Sequence, residues 1–156
     1  MTTLKERIQH DLTGAMRARD ETRKSTLRML ISAVRNAEIP PEGTTEATAI
    51  ALGDAEVTEI VLRQVKQRRD SIEQFRKAKR EDLAAKEEAE LSILLEYGPR
   101  QATREEVEVA ARRVLAETGA TSVKEIGKVM PLMTKEFAGR ADGRLINEVV
   151  RALLGA

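Results

Sequence analysis

Apolar residues recur at steps of three and four along almost the whole chain. That spacing belongs to the α-helix and not to the two-residue alternation of a strand. Leu4, Ile8, Leu12, Ala15 and Met16 line one face of a first helix. Leu27, Leu30, Ile31, Val34 and Ala37 line a second, which must stop before Pro40 and Pro41. Proline lacks the N–H a helix needs and restricts the residue before it. Asp20 suits an N-cap between the two helices, but with neither Gly nor Pro separating them the pattern is equally compatible with one long helix. Thr44 to Gly53 reads as a loop with a short helical turn. Asp54 offers the next cap, and Val57, Val61, Val65, Ile72 and Phe75 predict a helix to about Lys79. Leu83, Glu87, Leu91, Leu94 and Leu95 predict a fourth, whose far side of Lys86, Glu87, Glu88 and Glu90 reads as solvated.

Tyr97-Gly98-Pro99-Arg100-Gln101 is the clearest break, since Gly and Pro together end a helix and favour a turn. Beyond it, Thr103 with Glu106 forms a capping box for a helix carrying Val107, Ala110, Ala111, Val114 and Leu115, closed by Gly119. Ser122 with Glu125 forms a second box, opening a helix with Val123, Ile126, Met130, Met133 and Phe137. Pro131 sits inside that pattern and predicts a kink or an early stop. Gly139 should end the segment and Asp142 cap the last helix, with Ile146, Val149, Val150, Leu153 and Leu154 on its apolar face. The chain therefore reads as all-α: an N-terminal helical domain over 1–97 with four helices, then a small C-terminal domain over 98–156 with three. With two Phe, one Tyr and no Trp, the core must be aliphatic, which suits helix-on-helix packing.

Charge and residue chemistry narrow the function. Lys and Arg number 27 against 26 Asp and Glu, a net charge of +1, so the chain is not coated in cations. Without Cys, disulfides and thiolate zinc sites are excluded. The first residues lack the apolar centre of a signal peptide and no stretch is apolar enough to span a bilayer, so a soluble, cytoplasmic protein is expected. His10 is the single histidine and its helix offers no positioned Ser; G-x-S-x-G and P-loop signatures are absent. His10 thus reads as an ordinary surface or half-buried residue. Glu87 and Glu90 share a helix face, yet the Glu-x-x-His pattern of a di-metal site is missing, and pairing with Lys and Arg is the better reading. No metal, no cofactor and no catalytic residue are assigned.

Several motifs resemble a known family. Gly127-Lys128-Val129-Met130, Gly139-Arg140-Ala141-Asp142-Gly143 and Asn147-Glu148 followed by apolar pairs look like the C-terminal part of the YqeY family. That part is similar to the tail domain of GatB, the B subunit of the tRNA-dependent amidotransferase. Lys66-Gln67-Arg68-Arg69-Asp70-Ser71-Ile72-Glu73 and Lys86-Glu87-Glu88-Ala89-Glu90-Leu91 resemble the free-standing members. Three positions depart from the family pattern: Gly98 replaces a Leu, Lys79-Arg80 lacks a Gly, and Pro131 stands for another Gly. The resemblance implies a four-helix part followed by a three-helix, tail-like domain. In the amidotransferase the tail domain helps hold the tRNA body while chemistry occurs elsewhere. The family's amidotransferase label, a carbon–nitrogen ligase using glutamine as amido donor, derives from that shared domain.

The residues expected to contact nucleic acid are Lys128, Lys135, Arg140 and Arg144, grouped around the tail-like corner. From residue 97 on there are 10 basic and 8 acidic residues, against 17 and 18 before it. Arg140 has a competing structural reading, paired with Asp142 or Glu136. A second basic cluster, Lys66, Arg68, Arg69, Arg76, Lys77, Lys79 and Arg80, reads better as a face salt-bridged by Asp70, Glu73, Glu81 and Asp82 than as a phosphate stripe. Arg68 falls on the apolar seam and needs a buried partner or an outstretched pose. Few aromatics leave little for base stacking, so recognition would rest on shape and on phosphate or 2′-OH contacts. The expected function is a non-catalytic accessory protein docking on folded tRNA, with a protein of the tRNA amidation machinery as a further partner, and neither DNA nor membrane. The alternatives are a helical module binding a protein through apolar faces that include Met130 and Met133, or an amidotransferase component.

Overall fold

Seven α-helices and one 3-10 turn, with no strand, form the regular structure of residues 2–40 and 51–155, which the computed structural model describes. The helices are α1 (Leu4–Ala18), α2 (Glu21–Ala37), α3 (Asp54–Lys77), α4 (Glu81–Leu95), α5 (Arg104–Thr118), α6 (Ile126–Glu136) and α7 (Gly143–Leu153). Residues 44–50 of the expected loop lie outside the described residues. The chain forms two compact units, one up to Gly98 and one from Pro99 on.

In the first unit α1 to α4 pack around Ile8, Leu27, Leu30, Val34, Val57, Val61 and Leu94, all fully buried. Burying each such side chain contributes about 1.5–3 kcal/mol. The helical period fixes this face, with two exceptions: Met16, assigned to it by spacing, is 48% exposed, and Ala37 at the end of α2 is exposed too. The first two helices are separate. Arg19 turns left-handed (φ 56°), Asp20 N–H reaches back to the Ala15 carbonyl at 3.0 Å, and Asp20 Oδ1 accepts the Arg23 N–H at 3.0 Å. Asp54 does not cap α3. Gly53 holds that position without a side-chain bond, while Asp54 Oδ1 accepts the Leu4 N–H at 3.0 Å, serving the start of α1 instead. Helix α3 ends at Lys77, short of the expected Lys79, because Lys79 is itself left-handed (φ 59°). There the Arg80 N–H bonds the Phe75 carbonyl at 2.8 Å and the Lys79 N–H that of Arg76 at 3.0 Å, the two bonds of a Schellman turn.

The outer face expected on α4 is only partly solvated. Glu90 is 7% exposed and lies 3.2 Å from Arg68 Nε, with Glu87 Oε2 3.4 Å from Arg68 Nη1. Arg68 has the buried partner its place in the α3–α4 seam demands, and its guanidinium also meets Met29 Sδ at 3.6 Å. The salt-bridged reading holds for part of the cluster: Arg76 pairs with Glu81 and Glu88, Lys77 with Glu73 and, just past α3, Arg80 with Asp82, while Lys66 and Lys79 form no ion pair among the described residues. At the end of the unit Tyr97 is 3% exposed. Its hydroxyl donates to Asp11 Oδ2 at 2.7 Å and accepts from Arg23 Nη2 at 3.1 Å, while Arg23 Nη1 holds Glu96 at 2.8 Å. Burial first, then the hydrogen bond to Asp11, pushes the phenol up to about 12.

In the second unit α5 to α7 enclose Val107, Ala111, Val129, Met133, Ile146, Val149 and Val150. Both capping boxes form, Thr103 with Glu106 and Ser122 with Glu125, the second opening a 3-10 turn (Val123–Glu125). Gly119 (φ 71°) closes α5, Gly139 (φ 74°) follows α6, and Asp142 caps α7 by accepting the Arg144 N–H at 3.2 Å. The early stop at Pro131 does not occur, for α6 continues to Glu136. Pro131 and Gly127, whose carbonyl loses its helical donor, both lie on the exposed side, where water can replace the missing N–H.

Candidate nucleic-acid interface

Helix α6 divides cleanly into a core side and a solvent side. Val129, Met133 and Phe137 point into the unit and are buried. Lys128, Pro131, Leu132 and Lys135 are exposed. Lys128 and Lys135 are seven residues apart, almost two full turns, so they share one face about 10.5 Å apart along the axis. Lys124, in the 3-10 turn just before, extends the same exposed line. Sequence reasoning missed Lys124, although its four-residue step to Lys128 carries the signal.

The start of this face is locked. Glu125 Oε2 accepts the N–H of Thr121 at 2.6 Å and of Ser122 at 3.4 Å. These backbone donors, with a further contribution from the charge of Lys128, hold the Glu125 carboxyl below its ordinary range. None of Lys124, Lys128 and Lys135 forms an ion pair among the described residues. By contrast Arg100 and Arg140 both turn to Glu106, Arg104 to Glu108 and Glu148, and Arg113 to Glu117 and Glu136.

The four residues expected from the sequence are therefore placed differently. Lys128 and Lys135 stand together. Arg144 is exposed in the first turn of α7. Arg140 acts as a clamp: its Nε donates to the Arg100 carbonyl at 3.3 Å, its Nη2 lies 3.8 Å from Glu106, and its own carbonyl accepts the Ala102 N–H at 2.8 Å. Its partner is thus neither Asp142 nor Glu136; the latter is taken by Arg113. Of the two methionines expected on an apolar docking face, Met133 is fully buried and Met130 is half-buried against the core, while the neighbouring Leu132 is 47% exposed.

Beside α6 a groove of about 440 Å³ is lined by Val109, Ala110 and Phe137 with Glu105, Glu106, Arg113, Glu136 and Arg140. Val109 is 67% exposed at its edge. The lining carries charge pairs and apolar surface but no hydroxyl, thiol or imidazole. In the first unit His10 borders two shallow clefts, one with Thr3, Glu6 and Arg7, the other with Asp11 and Arg23. Thr3 Oγ1 is engaged with the Glu6 N–H at 3.2 Å. Among the described residues no group of three or more His, Asp or Glu is placed to hold a metal, and no helix is long and apolar enough to cross a membrane.

Comparison with known proteins adds relatives to this geometry. The family model described as Yqey-like protein matches residues 5–154. A Lachancea thermotolerans protein is 36% identical over 105 residues, covering 67% of this chain and 53% of its own length. One from Pyrenophora tritici-repentis is 31% identical over 152 residues, 96% of this chain and 80% of its own. One from Kluyveromyces lactis is 33% identical over 152 residues, 93% of this chain and 72% of its own. The chain thus spans only about half the length of the first of these. All three are named Altered inheritance of mitochondria protein 41, mitochondrial. Those names overturn the cytoplasmic expectation, which rested on the residue pattern of a secretory signal peptide and on bilayer-length apolar stretches, neither of which tells the cytoplasm from a mitochondrion. With its match running through both helical units, the chain belongs to the Yqey-like family.

Proposed function

We propose that this chain is a non-catalytic accessory protein of tRNA metabolism that docks on folded tRNA through the outer face of α6. Lys124, Lys128 and Lys135 contact phosphates there, Arg144 adds charge at the start of α7, and Arg140 contributes chiefly by holding the corner. The observation that carries this reading is the contrast in pairing: three exposed lysines that form no ion pair among the described residues, in a unit where Arg100, Arg104, Arg113 and Arg140 each form one. Ammonium groups left hydrated and unpaired release counterions when they meet a polyanion, which is where sequence-independent affinity comes from. The names of the relatives point to mitochondria as the compartment. A link to tRNA-dependent amidation rests on the family resemblance of the second unit.

Filter binding of folded tRNA over a series of KCl concentrations tests the reading. Each phosphate contact removed lowers the salt slope by about one. The triple change Lys124→Ala, Lys128→Ala, Lys135→Ala should therefore flatten the slope by about three and weaken low-salt binding at least tenfold. Binding with an unchanged slope would sink the proposed face. The exposed Val109 beside its groove favours a protein partner as the second reading; capture of a partner that survives nuclease and is lost in Val109→Asp would support it.

A further inference from the structure

The outer face of α2 is cationic and free of acidic side chains. From Thr22 to Ala37 the chain has no acidic residue, although 26 of its 156 residues are acidic, so two or three would be expected in a stretch of that length. The same segment carries Arg23, Lys24, Arg28 and Arg35. Its inner side, Thr26, Leu27, Leu30, Ile31 and Val34, is buried in the first unit, which leaves Ser25, Arg28, Met29, Ser32, Arg35 and Asn36 exposed. At 100° per residue these six fall within about one third of the helix circumference. Arg28 and Arg35 are seven residues apart and stand about 10.5 Å from each other along the axis.

Neither arginine forms an ion pair among the described residues. The acids that bound the face are already occupied. Glu21, before it, is paired with Lys24 at 2.8 Å, and Glu38, after it, holds Lys5 at 2.7 Å. The hydrogen bond from Lys5 keeps the Glu38 carboxyl below its ordinary range, and Arg35 adds to that effect only through its field. Ser32 stands between the arginines, with Ser25 about one turn before Arg28 and Asn36 next to Arg35. Short hydroxyl and amide groups flanking guanidinium forks are the donors that hold phosphate and sugar oxygens.

We infer that the exposed face of α2, centred on Arg28, Ser32 and Arg35, contacts the phosphate backbone of a folded RNA. The inference rests on the proposed function for the class of partner, but it uses residues of the other unit and is separable from the α6 lysines. Arginine forks grip phosphate in two-point fashion, and the central Ser32 adds a donor where an acidic side chain would repel. An anionic lipid surface would also attract arginines. Here the flanking side chains are chiefly polar, Met29 is drawn towards Arg68, and the face lacks the run of apolar residues that buries a helix in a bilayer.

The test is filter binding of folded tRNA by the full chain across a KCl series, with Arg28→Ala/Arg35→Ala, Ser32→Glu and the α6 triple variant in parallel. Circular dichroism checks that each keeps its helix content; all the altered side chains are exposed. The double arginine variant should flatten the salt slope by about two, and Ser32→Glu, which removes no cation, should weaken binding at least fivefold. An unchanged slope in Arg28→Ala/Arg35→Ala, with the α6 triple variant impaired, would overturn the α2 surface and leave the α6 reading standing. Loss in the α2 variants alone would support α2 and overturn the α6 face. Failure of the unaltered chain to bind tRNA at low salt would overturn both. Sedimentation with phosphatidylserine vesicles that depends on Arg28 and Arg35, with tRNA binding intact, would assign the face to a membrane and overturn the RNA inference.

Discussion

At Lys79 the backbone enters the left-handed region (φ 59°), which costs an L-residue about 1–2 kcal/mol and glycine almost nothing. The conformation is required, because the two bonds to the Phe75 and Arg76 carbonyls close α3 and aim the chain into α4. The family resemblance had marked this spot as one where a glycine is usual. The turn has kept its shape while the residue has changed, which spacing alone does not reveal: Lys79 reads as the last residue of a helix. Lys79→Gly should therefore stabilise the protein by about 1 kcal/mol, the relief of strain being partly offset by the freer unfolded chain. A rise in the urea midpoint at unchanged slope would show it; a fall would mean that the lysine side chain holds the corner. Capping residues were the most legible single positions, since Asp20, Thr103, Ser122 and Asp142 each act through bonds to backbone three residues away or nearer. Asp54 was misread because its partner, the Leu4 N–H, is 50 residues distant.

At the level of helices, the α3–α4 hairpin is joined by a charge cluster in an otherwise apolar seam. One guanidinium faces two carboxylates, and Arg68 Nε, Glu87 Oε2 and Gln64 Oε1 are buried without a well-formed hydrogen bond. Such a cluster is a weak source of stability but an expensive thing to break. Arg68→Ala should cost about 3–5 kcal/mol, because it strands buried charge on Glu90 and Glu87. Combining Arg68→Met with Glu87→Gln and Glu90→Leu should recover most of that loss; urea denaturation of the three proteins separates the outcomes, and a mild effect of Arg68→Ala alone would show that water reaches the seam. The demand for a partner was visible in the sequence, as Arg68 interrupts the apolar period. Its identity was not, because Glu87 and Glu90 belong to a pattern that fits a solvated face until α3 is laid against it. Likewise the α6 lysines were legible as charges, but only packing shows which cations of the unit are already paired.

For the molecule as a whole, a net charge of +1 means that any hold on a polyanion must come from where the cations stand and not from how many there are. The helical class and the order of helices followed from the 3.6-residue period, which is a local property. The burial of Tyr97 did not, since it depends on α1, α2 and the end of α4 meeting at one point. That meeting has a pH signature. The folded phenol titrates at about 12 against an ordinary 10.0, so the folded state holds its proton more tightly than the unfolded chain does. Its contribution is fully present below pH 10 and is lost as pH rises through about 12. Urea midpoints should fall across that window, and Tyr97→Phe should lessen the fall. As Tyr97 is the chain's one tyrosine, an absorbance titration reads the group directly, and a midpoint near 10 would contradict the buried network.

The two left-handed corners of the first unit have one more consequence. Both are occupied by exposed cationic residues, Arg19 and Lys79, where many helical proteins place glycine. Trypsin cuts after such residues, and it needs an extended, accessible backbone that helix interiors deny it. Between Arg35 and Arg63 the sequence offers it nothing to cut. Brief digestion should accordingly nick the first unit at its two tight bends, and the released segment between them would span residues 20–79.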